Sequence, residues 1–144
     1  MNANWQLLSL HRYYIYSNRL KEYFEFTLTN YTSSEEPALQ AAMRFAISDP
    51  TMFMFFWYAS LYVVVEGWQE LGLSDPVVDP LLDSSNVQLL KRFRNGVFHF
   101  QKKYGDNRFS EFLQPGQTIV PWVRELHEKI GAYFLRALSP KPQQ

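Results

Sequence analysis

The sequence predicts an all-α protein, an up-and-down bundle of four main helices plus short extra helices, on three observations. Apolar residues recur at alternating steps of three and four through most of the chain. Residue pairs typical of helix starts and stops punctuate that pattern. No competing strand pattern is present. At 144 residues the chain suits one domain with a proper core and is too short for two comfortable ones. The domain is expected over 1–138, followed by a loose tail over 139–144 that contains Pro140 and Pro142.

A first helix is expected over 5–30, where Leu10, Tyr13, Ser17, Leu20, Phe24, Leu28 and Tyr31 share one face. Ser33 and Glu36 have capping-box spacing, so a second helix should open there, carry Leu39, Met43 and Ala46 on one side, and stop near Ser48. Asp49 reads as the N-cap of a third helix, with Pro50 at its first position, running to about Leu71. That helix is apolar nearly all round and must be covered on more than one side, by the rest of the bundle or by a second copy. Residues 72–83, with Pro76 and Pro80, form a linker with room for a short helical turn. Ser85 and Gln88 repeat the capping-box spacing and open a fourth helix over 86–104, ended by Gly105. Leu89, Phe93, Val97, Phe100 and Tyr104 are its expected buried stripe. A short helical turn over 108–113 and the turn Gln114-Pro115-Gly116-Gln117 follow. The last helix starts near Val120, with Pro121 in its first turn, and should pack through Val123, Leu126, Ile130, Phe134 and Ala137.

Composition excludes several classes of function. Apolar residues are 47% and aromatics 17% of the chain, which is incompatible with disorder over most of it. The absence of cysteine removes disulfides and thiolate metal sites. His11, His99 and His127 lack metal-ligand spacing, so neither a metal nor another cofactor is expected. The N-terminus carries no signal-peptide pattern, and the uncharged run 50–65 is shorter than the roughly 20 residues that cross a bilayer, so a cytoplasmic protein without membrane contact is expected. A net charge of zero argues against unselective coating of nucleic acid.

The charge is nevertheless uneven. Between residues 31 and 87 eight acids face the single base Arg44. From 88 to 108 the sign reverses, with Lys91, Arg92, Arg94, Lys102, Lys103 and Arg108 opposed by Asp106. Such a local excess would attract a phosphate backbone, or would form a solvated face salt-bridged to the acidic segments.

Inside this basic stretch lies Arg94-Asn95-Gly96-Val97-Phe98-His99. An imidazole can move the 2′-hydroxyl proton of RNA while a fixed guanidinium stabilises charge on phosphorus. The Arg-Asn-x3-His spacing resembles the signature of HEPN (higher eukaryotes and prokaryotes nucleotide-binding) domains, many of which are metal-independent ribonucleases. The resemblance implies a helical bundle and a homodimer whose two motifs form one cleft. It implies that Arg94 stabilises phosphate charge, Asn95 orients its neighbours and His99 is the acid/base, leaving a 2′,3′-cyclic phosphate and a 5′-hydroxyl. Lys91, Arg92, Lys102, Lys103 and Arg108 would hold the RNA backbone. A toxin or phage-defence role, with an antitoxin protein as partner, also follows from the resemblance. Gln101 stands where adenylated members of the toxin branch have tyrosine, so control by adenylylation at that place is not expected.

In an ideal helix Arg92, Asn95 and His99 share a stripe, while Arg94 is offset from His99 by about 140°. Distortion at Gly96, or a second protomer, would have to bring the two together. The alternative for each residue is structural: Arg94 as a surface cation paired with Asp83 or another acid, His99 as a polar residue at a helix contact. His127 and His11 read as flanks of their helices, and Trp57, Trp68 and Trp122 as core. Two other functions stay open, a noncatalytic interaction or nucleotide-binding module, and a bundle holding an apolar small molecule near Trp57, Tyr58, Met52 and Met54.

Overall fold

Leu10, Ser17 and Phe24 recur at seven-residue intervals on α1 (Ala3–Thr29), and this seam is the buried part of the helix. A computed structural model describes residues 3–32, 35–114 and 118–140. The seam faces α3 (Asp49–Glu70), which runs antiparallel to α1: Leu10 meets Gly67 at one end, and the Tyr23 and Phe53 rings lie 5.3 Å apart at the other. A Cβ at Gly67 would collide with Leu10 Cδ1, so the bare glycine lets the two helices approach closely. Ser17 Oγ donates to the Trp57 carbonyl at 3.3 Å, which satisfies the hydroxyl inside the contact. Tyr13 and Leu28, expected on the buried face, are exposed instead.

α2 (Ala38–Ala46) starts later than its capping-box spacing suggested. Pro37 is its N-cap, a residue that has no N–H to donate and is disfavoured in a helix interior. Ser33 lies outside the described residues, and Glu36 accepts from Arg44 Nε at 3.1 Å. No residue of α2 is buried, and Leu39, Met43 and Ile47 face solvent. Ser48, one residue earlier than expected, caps α3, with Asp49 and Pro50 in the first turn. Just past the end of α3 comes Gly72, whose φ of +63° lies in the left-handed region open to glycine.

α3 is the central helix. Trp57, Tyr58, Leu61, Val64, Val65 and Trp68 are essentially inaccessible on it, each such side chain worth about 1.5–3 kcal/mol of burial. The expectation that these tryptophans and Trp122 are core is met. α4 (Val78–Leu82) fills the linker, its start held by Asp75, whose Oδ1 accepts from the Val77 and Val78 amides at 2.9 and 3.1 Å. α7 (Ile119–Leu138) buries Val123, Leu126, Ile130 and Phe134 as expected, while Ala137 is exposed. It runs antiparallel to α1, with Arg124 on Glu25 at 3.2 Å and the His11 and Phe134 rings 5.0 Å apart. Among the described residues the chain is all-helical, as the sequence predicted, and carries seven helices, three of them (α2, α4 and α6) under ten residues.

The largest departure concerns α5 (Asn86–Phe98), which was expected to reach Tyr104. Val87, Leu90, Phe93 and Gly96 are buried on it, Leu89 and Val97 are half-buried, and Phe100 and Tyr104 are 92% and 73% exposed. After Phe98 the chain leaves the helix and returns through α6 (Asn107–Ser110), so that Phe109 packs 5.2 Å from Phe55 and 5.6 Å from Phe93. Phe112 follows, buried 4.6 Å from Phe93 and 5.3 Å from Tyr58. Burial of these two rings against α3 and α5 requires the reversal, and a helix continued to Tyr104 would carry them away. At the helix start, Ser85 is the N-cap as expected, although the Asn86 amide donates to Ser84 Oγ instead, at 3.1 Å. Residues 115–117 of the expected turn and 141–144 of the expected tail lie outside the described residues.

Gly96 sits under this reversal. A Cβ there would lie 2.8 Å from Phe109 Cε1 and 3.2 Å from Arg108 Cβ. Alanine would gain about 1 kcal/mol of helix propensity. Overpacking against a ring wedged between two others costs about 1–3 kcal/mol, so the clash should win. Gly96→Ala is expected to lower stability by about 1 kcal/mol in urea unfolding, and a stabilised variant would show that α6 does not dock tightly on α5.

Candidate functional site

Arg94 lies on the face of α5 turned toward α3. Its Nη2 donates to Glu66 Oε1 at 2.7 Å, and its guanidinium carbon sits 5.0 Å from the centre of the Tyr62 ring. The side chain is 21% exposed, and its Nε is buried without a hydrogen-bond partner among the described residues. The acid that Arg94 meets is therefore Glu66 rather than Asp83. Burial raises the Tyr62 hydroxyl above its usual value; the Glu66 charge adds to this and Arg94 opposes it. Glu66 was not singled out in the sequence, although it is the only acid between Asp49 and Glu70 in an otherwise apolar helix. That isolation was the available signal.

His99 is the first residue beyond α5, with extended backbone at φ −119° and ψ 130°. Its amide donates to the Asn95 carbonyl at 3.1 Å, and its own carbonyl accepts from Gln101 Nε2 at 2.7 Å. Gln101 Oε1 in turn accepts from Arg108 Nη1 at 2.8 Å, and Asp106 holds the same guanidinium nitrogen at 3.3 Å. The segment after the helix is thus stapled by its own side chains. The imidazole is exposed and lines a hollow of about 420 Å³ with Phe55, Gly96, Phe109 and Tyr104.

The ideal-helix stripe of Arg92, Asn95 and His99 is consequently broken, because His99 is no longer helical. Arg94 faces Tyr62 and Glu66 while His99 shares its hollow with Phe55, a separation of about 10 Å along α3 for a seven-residue step. No hydrogen bond joins the two within one protomer among the described residues. Asn95 is half-buried and contributes its carbonyl to the helix end.

The expected backbone-holding cations divide into two groups. Arg92 is bridged to Glu111 at 3.0 Å, and Arg108 to Asp106 and Gln101. Lys91, Lys102 and Lys103 are exposed, and Lys103 shares a shallow hollow of about 250 Å³ with Arg92 and Arg108. The solvated-face reading thus applies to the paired arginines, and the lysines remain presented to solvent. The Phe100 and Tyr104 rings that flank Lys102 and Lys103 in sequence were expected in the core.

His127 differs from its expected place on a helix flank. It is 2% exposed, accepts from Trp57 Nε1 at Nδ1 over 3.1 Å, and lies 2.9 Å from Asn18 Oδ1 through Nε2. With Nδ1 accepting, the proton belongs on Nε2, which donates to Asn18. Burial lowers its pKa to about 4; the Lys21 charge adds to that shift and Glu25 opposes it. It is a fixed neutral imidazole of the core. Trp57, which donates to it, and Tyr58, whose ring lies 4.8 Å from that of Trp57, are both buried in the core.

Among the described residues no helix is long and apolar enough to cross a membrane, and no three or more His, Cys, Asp or Glu side chains gather closely enough to hold a metal ion. No protein-family model matches the chain, and neither does any curated protein or solved structure.

Proposed function

We propose that the chain is a metal-independent endoribonuclease of the HEPN-like kind, acting as a homodimer through a composite site. The observation that carries this reading is His99 itself: an exposed imidazole at the end of a helix that also holds Arg94, beside the exposed Lys102 and Lys103. In the reaction, His99 removes the 2′-hydroxyl proton and the 2′-oxygen bonds to phosphorus. The P–O5′ bond then breaks, and the imidazole or its twofold-related copy returns a proton to the 5′-oxygen. Arg94, aimed by Glu66, stabilises the phosphorane charge.

Dimerisation is supported by an uncovered apolar surface on the same helices. Met52 and Phe56 on α3 and Phe98 on α5 are 45%, 41% and 48% exposed, and the Phe56 and Phe98 rings lie 6.1 Å apart. A second copy seated there would cover all three, of which Phe98 lies on α5, the helix that carries Arg94. The helical, alternating layout of α1, α3, α5 and α7 is compatible with a HEPN-like bundle.

The test is cleavage of single-stranded RNA in EDTA, with 2′,3′-cyclic phosphate ends. Glu66→Gln is a companion variant. The ion pair is half-exposed, so stability should change by less than about 1 kcal/mol. The rate should fall nonetheless, because Arg94 loses its orientation. The Arg94–Glu66 pair also favours a second reading, in which Arg94 is structural and the basic loop binds without cutting. Absence of cleavage across varied RNAs, with binding retained, would select it.

A further inference from the structure

We propose that Phe100 and Tyr104 form a stacking platform for unpaired nucleotides, making the chain selective for single-stranded over duplex RNA. This rests on the reading of the loop as an RNA site and adds a substrate class to it. Phe100 is the most exposed large apolar side chain among the described residues, at 92%, and Tyr104 is 73% exposed. Two rings this exposed within one short loop offer aromatic faces to a ligand.

The surroundings favour a nucleic acid as that ligand. Lys102 and Lys103 lie between the two rings in sequence, so the loop places two cationic groups between two aromatic ones. Both rings and Lys103 border the hollow of about 420 Å³ that His99 also lines, a volume within the range of small-ligand pockets. A second hollow of about 630 Å³, bounded by Met43, Arg44 and Glu36, shares Ile47 and Tyr104 with it. Aromatic faces receive bases of any identity, and ammonium groups receive the phosphates between them. Bases stacked in a duplex cannot present their faces to side chains in this way. The loop conformation is held by Gln101 and Arg108, which donate to the His99 carbonyl and the Gln101 side chain respectively, so the platform is largely preformed.

Binding is measured by fluorescence polarisation, using a 5′-fluorescein 12-mer single-stranded RNA and its duplex, in the His99→Ala background so that the strand stays intact. Phe100→Ala and Tyr104→Ala are each expected to weaken single-strand binding by about fivefold to a hundredfold, with Phe100→Trp restoring it. Lys102→Ala should instead flatten the salt dependence, by about 0.7 in log–log slope per lost phosphate contact. Both rings are exposed, so circular dichroism should show an unchanged fold. Unaltered affinity in the aromatic variants, or equal affinity for duplex, would overturn the platform even if the parent protein cleaves RNA. Binding that depends on both rings, with no cleavage by the parent, would support the platform and remove the ribonuclease reading. Absence of RNA binding, with the aromatic substitutions changing self-association or binding of an acidic peptide instead, would assign the surface to a protein partner and overturn the proposal.

Discussion

His99→Ala is expected to lower RNA cleavage in EDTA by about 10²–10⁴-fold, the usual contribution of a positioned acid/base. Its stability should remain within about 0.5 kcal/mol of the parent, as is usual for exposed side chains. The imidazole is exposed, and the hydrogen bonds at this position are made by its backbone amide and carbonyl, which alanine keeps. Loss of activity therefore cannot be ascribed to unfolding. Arg94→Ala should reduce cleavage comparably, but it also leaves Glu66 without its partner and uncovers Tyr62. Arg94→Lys is the better control there: it keeps the charge and loses the planar fork, so a retained fold with reduced rate would point to geometry rather than charge. Mixing inactive His99→Ala with inactive Arg94→Ala protein should restore part of the activity if the two groups act across protomers. Undiminished cleavage in the His99→Ala, Arg94→Ala double variant would remove both residues from the mechanism.

The second large effect concerns stability in acid. His127 has a folded pKa of about 4, below its unfolded value near 6.5. Above pH 6.5 it is neutral in both states and adds no pH dependence. As pH falls from 6.5 toward 4, the unfolded chain binds a proton that the folded chain refuses, so stability declines by about 1.4 kcal/mol per pH unit, or about 3 kcal/mol across the window. The geometry gives the reason: a protonated Nδ1 would point its hydrogen at the Trp57 indole N–H, placing donor against donor in a buried contact. The lowered carboxyls of Glu25 and Asp75 add their own losses as pH falls through their folded values, so the interval from 6.5 to 5 isolates the histidine. Urea unfolding at several pH values should show that slope in the parent and lose it in His127→Gln. A parent whose stability is flat from pH 6.5 to 5 would mean that His127 is not held neutral.

The candidate site was only partly legible. The basic run and the Arg94–His99 spacing were visible because they are local. Glu66 was not, since its partnership with Arg94 spans 28 positions and depends on how α3 and α5 cross. His127 was misplaced for the same reason: its neighbours Trp57 and Asn18 are 70 and 109 positions away. Phe100 and Tyr104 were assigned to the core because their spacing continues the apolar period of α5, and periodicity carries no information about where a helix is cut short.

Periodicity and boundary residues alone determined that the chain is helical and where α1, α3 and α7 lie, because steps of three and four and residues such as Pro50 and Gly72 act within a few positions of themselves. Tertiary structure decided the end of α5, the exposure of His99 and the loop after it, and the pairing of Arg94. Each of these depends on which rings fill the space between α3, α5 and α6, and Phe109 and Phe112 gain more by turning back into that space than the backbone gains from another turn and a half of helix.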